Sequence, residues 1–213
     1  MNPFTEHPHV TILPEGVVLV ASTLVVADVH LGKSATFRAK GLPVPEGDTE
    51  RDFRRLAEMV VKHGVRHLVI AGDLFHAPAG MTGELETALA EFLTEVGIPV
   101  TLVMGNHDAK LSRLPVGLVC VEHLDLDQIR IIHDPASAES GRLHISGHWH
   151  PVVRIPDGMR TSLRLPCFLY RGNTLVLPAF GSFTGGAILA AEEGDRIFAA
   201  LRDQIVEIPR ELL

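Results

Sequence analysis

Four short segments of this 213-residue chain place metal-ligating side chains directly after apolar runs. Asp28-Val29-His30 follows residues 24–27, and Gly72-Asp73 follows residues 68–71. Gly105-Asn106-His107-Asp108 follows residues 100–104, and Gly147-His148-Trp149-His150 follows residues 143–146. The donors on offer are carboxylates (Asp28, Asp73), a carboxamide (Asn106) and imidazoles (His30, His148, His150), with no thiolate among them. Mixed nitrogen and oxygen ligation suits manganese, iron or zinc in a catalytic role, and disfavours a structural zinc site of the cysteine type. Residues two apart on a strand point to one side, which pairs Asp28 with His30 and His148 with His150. A shared carboxylate between such pairs can hold two ions ~3.5–4 Å apart, and Asp73 is the expected bridge. Two divalent ions against two aspartates leave a cationic site suited to an anionic phosphoester. Such a pair lowers the pKa of bound water to about 7, making hydroxide available at neutral pH.

Positioning these groups requires a sheet. A short apolar run reads as a strand buried on both faces, and α/β sheets collect their functional side chains at strand carboxyl ends. Strands are expected at 17–20 and 23–27, with further strands running into Asp73 and into Asn106. A helix is expected from Asp48 or Thr49, either of which can cap it, to about His63; Phe53, Leu56 and Val60 repeat on one face. A second helix fits 83–96, with Gly97 as its stop. Residues 1–16, punctuated by Pro3, Pro8 and Pro14, read as irregular, and Leu31-Gly32-Lys33-Ser34 leads into a polar stretch through Arg38 and Lys40 to Pro43 and Pro45. After residue 128 the character turns to short strands, expected at 129–133, 143–146, 174–177, 187–191, 196–199 and 204–208. The alternation predicts an α/β fold in one domain spanning 1–213.

Composition excludes several classes. With 46% hydrophobic and 21% charged residues the chain is expected to fold as a soluble protein. Its apolar stretches are shorter than the ~20 residues of a membrane span, and residues 1–6 lack the features of a signal peptide. Two cysteines, Cys120 and Cys167, are too few for a disulfide framework, so a cytoplasmic location is expected. A net charge of −7 argues against a broad phosphate-binding surface, although bound cations can supply positive charge locally.

D-x-H, G-D-x-x-H, G-N-H-D, a later lone His and G-H-x-H, in this order, resemble the motifs of the calcineurin-like metallophosphoesterase superfamily. The resemblance implies a four-layer α-β-β-α sandwich, two mixed sheets flanked by helices, with two metals at the strand ends. It further implies that Asp28, His30, Asp73 and His150 hold one metal, and Asp73, Asn106, His133 and His148 the other. His107 would be the general acid or phosphate contact, oriented by Asp108. The lone ligand is read as His133, which closes the run 129–132, over His123 and His144. His76 in G-D-L-F-H resembles a histidine that lies near the scissile phosphate in double-strand-break repair nucleases of the superfamily.

Two further stretches, D-x-H-L-G-K with F-R-A-K-G-L-P-V-P and L-P-A-F-G-S-F-T-G-G at 177–186, are similar to the DNA-ligase-associated metallophosphoesterases, the PdeM group. That resemblance implies a manganese-dependent phosphodiesterase and endonuclease acting on single-stranded DNA in repair, linked with a ligase, a helicase and an exonuclease. Lys33 and Arg38 are the expected contacts to flanking DNA phosphates, whereas Lys40 and Lys110 read as solvated charges. Trp149 could stack on a base or pack beneath the metal loop. The alternatives are a phosphodiesterase for small diesters, such as a cyclic nucleotide or a nucleotide-sugar diester, and a non-catalytic scaffold on the same fold.

Overall fold

The structure, a computed structural model, describes residues 3–156 and 161–212. Six strands form the first sheet in chain order: β1 (Val10–Leu13), β2 (Val17–Val20), β3 (Thr23–Val26), β4 (His67–Ala71), β5 (Val100–Val103) and β6 (Val119–Val121). β1 to β3 pair antiparallel, while β3 to β6 run parallel and therefore aim their carboxyl ends the same way. Parallel neighbours require crossovers. A short helix α1 (Lys33–Ala39) and then α2 (Asp48–Lys62) connect β3 to β4, and α3 (Gly83–Val96) connects β4 to β5. β1 lies inside the stretch read as irregular; its alternating buried and half-buried residues are only four long, and the flanking prolines mask them.

Of these three helices only α3 has a side-chain cap at its start; α1, like α2, begins after a left-handed glycine, Gly32. Thr82 accepts a hydrogen bond from the Leu85 amide at 3.2 Å and so caps α3, which stops at Gly97 with φ 60°. α2 instead begins after Gly47 in the left-handed region, without a side-chain cap. The carboxylate of Asp48 is engaged by the Ser34 hydroxyl of α1, so the capping expected from Asp48 or Thr49 is replaced by a tie between two helices.

The second sheet contains β7 (Leu124–Leu126), β8 (Ile129–Ile131), β9 (Leu143–Ser146), β10 (Pro151–Pro156), β11 (Ser162–Arg171), β12 (Thr174–Val176), β13 (Ala187–Ile188), β14 (Arg196–Ala200) and β15 (Ile205–Glu207). Its order is β13-β10-β11-β12-β9-β8-β7, with β14 and β15 continuing from β11. β11 is the long strand that sequence reasoning missed, and Pro166 explains both the miss and the topology. A residue without an N–H belongs where pairing changes. Up to Pro166 the strand pairs with β10; from Cys167 onward it pairs with β14, and from Leu169 also with β12.

Burial follows the layers. Phe53, Leu56 and Val60 of α2 and Leu85, Leu89 and Phe92 of α3 close onto Leu24, Leu68, Ile70 and Leu102 of the first sheet. The opposite face of that sheet, through Val25, Val69, Ala71 and Val103, packs on Ile131, Ile145, Phe168, Leu175 and Phe198 of the second. The outer face of the second sheet buries Val153, Cys167, Leu169, Val176 and Ile197, with Trp149 packed against them. Among the described residues the helical cover on that side is one turn, Arg210–Leu212, beside the buried Ile208. The result is a two-sheet α/β sandwich with its long helices on one side. No helix among the described residues is long and apolar enough to cross a membrane.

Candidate metal centre

The ligand motifs do not lie on strands. β3 ends at Val26 and β4 at Ala71, and the chain continues as two irregular segments laid side by side. The amides of Asp28, His30 and Leu31 donate to the carbonyls of Gly72, Asp73 and Leu74 at 3.1, 2.9 and 2.8 Å. Asp28, His30, Asp73, His148 and His150 all have φ between 47° and 73°. Only Ala21 and Asp127 share that region among the other described non-glycine residues. Left-handed backbone is costly for a side-chain-bearing residue and persists where the surroundings over-determine it, typically at functional sites. Two residues apart thus converge here as the sequence argument expects, but through alternating left-handed residues rather than strand pleat.

The donor atoms fall into two groups joined at Asp73. In the first, His150 Nε2 is 3.1 Å from Asp28 Oδ1 and 3.4 Å from His30 Nε2, which is 3.9 Å from Asp73 Oδ2. In the second, His133 Nε2 is 3.1 Å from both Asn106 Oδ1 and His148 Nδ1, and 3.5 Å from Asp73 Oδ2. Donors each ~2.1 Å from one ion, at octahedral or tetrahedral angles, lie about 3.0–3.4 Å apart, which the spacings within each group match, while the two approaches to Asp73 are wider at 3.5 and 3.9 Å. Asp28 Oδ1 is buried with no hydrogen bond, although its other oxygen accepts from the His148 amide at 2.9 Å. An unpartnered carboxylate oxygen facing imidazole nitrogens is costly unless a cation satisfies it. The residues therefore fit a pair of divalent ions. Of the three candidates for the lone ligand, His133 is the one brought to Asp73; buried His144 accepts the Glu139 amide at Nε2 and has Asn173 beside its Nδ1, and His123 is exposed.

Burial sets the charge states. It drives His30 down to about 3, only partly opposed by the Asp73 charge. At His133 burial acts the same way but loses to the hydrogen bond and charge of Asp73, which lift it to about 9. Folded-state elevation above the ordinary 6.5 means that His133 stabilises the metal-stripped protein below 6.5 and loses that contribution as pH rises to about 9. Melting of metal-stripped protein is accordingly expected to weaken across that window. The added stability conferred by a divalent metal ion is expected to grow over the same window, because ligation releases the His133 proton. Thermal melts with and without metal read both.

Gly105 is required by packing. A Cβ there would lie 2.4 Å from the Asp73 amide nitrogen and 2.2 Å from its Oδ1. The space it leaves admits the His107 amide, which donates to Asp73 Oδ1 at 2.8 Å. Asp108 does not orient the His107 ring, in contrast to the expectation. Its buried carboxylate accepts from the Phe75 and Gly105 amides at 2.9 and 3.1 Å, and burial raises it to about 6. The His107 ring is instead held by its Nδ1 on the His76 carbonyl at 2.5 Å, which turns Nε2 to within 4.0 Å of Asp73 Oδ2. The His76 ring stacks on His107 at 5.3 Å and 20°.

The expected phosphate contacts separate. Lys33 is half-buried beside the cage, and its charge bears on His30 and His76. Arg38 lies on another side of α1, ion-paired with Glu46 at 3.4 Å and donating to the Pro45 carbonyl at 3.2 Å. Trp149 packs on the outer face of the second sheet, with the Arg171 guanidinium 5.7 Å from its ring.

Sequence reasoning missed the support behind the first motif. The amides of Phe180 and Gly181 donate to the carbonyls of Ala27 and Asp28, and a Cβ on Gly181 would sit 2.1 Å from the Val29 carbonyl oxygen. That loop is held from α2: buried Asp52 accepts the Ser182 amide at 2.9 Å, and Arg55 donates to the Phe180 carbonyl at 2.9 Å while pairing with Asp52. The available signal was a carboxylate beside Phe53 on the apolar face of a helix.

Comparison with known proteins agrees with this geometry. Residues 21–125 match the family model described as calcineurin-like phosphoesterase. The DNA double-strand break repair protein Mre11 of Aeropyrum pernix is 39% identical over 90 residues, 41% of this chain and 21% of that protein. Its counterpart in Archaeoglobus fulgidus is 40% identical over 92 residues, 41% of this chain and 19% of that protein. The chain thus matches about a fifth of the length of these relatives. The crystal structure of Pseudomonas putida nuclease MPE superposes with a TM-score of 0.77 at 28% identity, covering 92% of this chain and 94% of that one. With the family model, the shared fold and the two-group Asp/His cage in agreement, the chain carries a calcineurin-like phosphoesterase domain.

Proposed function

We propose that this chain is a two-metal phosphodiesterase, a manganese-dependent endonuclease that cuts single-stranded DNA in the cytoplasm during repair, alongside a ligase, a helicase and an exonuclease. The observation that carries the reading is the His107–His76 pair held at the edge of two donor groups, each of which brings a histidine to Asp73. Bound there, a pair of divalent ions supplies a nucleophile at neutral pH and offsets the charge of the transferring phosphoryl group. The chain's own residues do the rest. Asp73 ties the two donor groups together, and its second oxygen fixes the His107 backbone. His107, locked through Nδ1, aims Nε2 at the cage edge, within reach of a departing sugar oxygen. His76 shields that imidazole from solvent on one face. Likeness to nuclease MPE over nearly its whole length and to the Mre11 repair proteins supports DNA as substrate. The net charge of −7 favours a second reading, in which the diester is a small molecule.

The test is cleavage of a circular single-stranded DNA with manganese, beside a metal-stripped control. Linearisation of the circle is expected, since a circle has no ends for an exonuclease. Intact circles with bis-p-nitrophenyl phosphate still hydrolysed would move the substrate to small diesters. Inactivity on both with two metals bound would leave a scaffold.

A further inference from the structure

Seven of the chain's nine phenylalanines are buried; Phe37 of α1 and Phe183 of the 177–186 loop are the other two. They meet each other. Their ring centroids are 5.8 Å apart at 73°, and Phe37 meets the His76 ring at 6.0 Å and 88°. Through His76 the contact continues to His107, so the two phenyl rings extend the imidazole pair outward from the cage. Both rings are half-buried and keep accessible area beside the cage.

Phe37 does not stand alone on its helix. Lys33 and Phe37 stand at i and i+4 of α1, and Lys40, its C-cap, follows at i+7 to continue the same stripe. The Phe37 ring on His76 sets the stripe toward the cage, and the charges of both lysines bear on His76, that of Lys40 from an exposed position. Burial lowers the Lys33 ammonium, with no carboxylate to offset it. The acidic residues near α1 are occupied elsewhere, Glu46 by Arg38 and Asp48 by Ser34. The two lysines are separated by about 10 Å of helix rise. A cation, an aromatic face and a second cation in succession is the arrangement that single-stranded nucleic acid requires: phosphates on the charges, a base on the ring. A base inside a duplex has both faces covered and cannot use it.

We propose that Lys33, Phe37, Lys40 and Phe183 form a nucleotide subsite flanking the scissile phosphate, which takes an unstacked base on the phenyl rings and the adjoining phosphates on the two ammonium groups. The proposal rests on the phosphodiesterase reading above and narrows its substrate to strands with unpaired bases.

The test compares two single strands of equal length, oligothymidylate and a strand built wholly of abasic sugar phosphates. Wild-type protein with manganese is expected to favour the base-bearing strand about ten- to a hundredfold in kcat/KM, through KM. Fluorescence anisotropy with metal-stripped protein should give the same preference in Kd, without turnover. Phe37→Ala brings the ratio close to one, and Phe37→Tyr, which keeps the ring, restores it. Because each ratio is internal to one protein, partial loss of folded material cancels. Should Phe37→Ala not fold, Phe183→Ala on the separate loop makes the same comparison. A wild-type ratio near one, or a ratio unchanged by removing either ring, overturns the subsite while cleavage of the strands upholds the nuclease reading. Hydrolysis of bis-p-nitrophenyl phosphate with neither strand cut overturns the DNA reading and the subsite with it.

Discussion

Exchange of Asp73 for alanine is expected to release both metal ions and to lower diester cleavage by ~10⁴-fold or more, because the nucleophile and the charge compensation go together. The size of the effect follows from how many tasks one carboxylate performs. Oδ2 lies within 4.0 Å of His30, His107 and His133, and so faces both donor groups, while Oδ1 accepts the His107 amide at 2.8 Å. Alanine also removes the charge that lifts His133, leaving a buried imidazole whose proton is no longer favoured. Asp73→Asn separates these tasks. An amide oxygen can still receive the His107 N–H, so the backbone of the third motif keeps its place, but the neutral group neither bridges two cations nor raises His133. We expect Asp73→Asn to be as inactive as alanine, to bind little metal by elemental analysis, and to lose the pH-dependent melting between 6.5 and about 9. Metal retained at two ions per chain in either variant would mean that Asp73 is not the bridge.

The centre of this site was legible because its signal is local. An apolar run that stops at Asp, Asn or His can be read one segment at a time, and four such stops in order point to one strand-end crevice. What stayed hidden depends on contacts between segments. α1 is seven residues long, too short to be stable alone, and its sequence carries no apolar stripe. It is held by the Ser34–Asp48 tie and by the Thr36 hydroxyl on the Gly32 carbonyl at 2.9 Å. Reading that segment as a polar stretch left Lys33, Arg38 and Lys40 without faces, so proximity in sequence chose Arg38, which the helix turns away. Trp149 stayed open between stacking and packing for the same reason: adjacency to His148 says nothing about which side of the sheet a ring enters. The role of Asp108 was assigned by family resemblance, but its two backbone partners lie 3 and 33 residues away along the chain and carry no pattern. The left-handed backbone at five ligands likewise has no signature in residue type, since aspartate and histidine suit a turn or a strand end alike.

His107→Ala should leave both metals bound and slow DNA cleavage by ~10²–10⁴-fold, the range for loss of a general acid. Metal retention follows from geometry. The backbone amide of residue 107, not its ring, bonds Asp73, and alanine keeps that amide. The kinetic loss should depend on the leaving group. With Nδ1 committed to the His76 carbonyl, only Nε2 can serve a departing oxygen. An alkoxide of deoxyribose needs that proton, whereas p-nitrophenolate is stable as an anion and departs without it. His107→Ala is therefore expected to lose at least tenfold more on a single-stranded oligonucleotide than on bis-p-nitrophenyl phosphate. Equal losses on the two substrates would assign His107 to binding the phosphate, an electrostatic contact present whatever the leaving group. His76→Ala supplies the internal control: its carbonyl remains to hold Nδ1, so only the stacked face is lost, and the leaving-group dependence should persist with a smaller overall decrease. If His76→Ala erased that dependence, the ring and not the carbonyl would be what aims His107, and the general acid would have to be treated as a stacked pair.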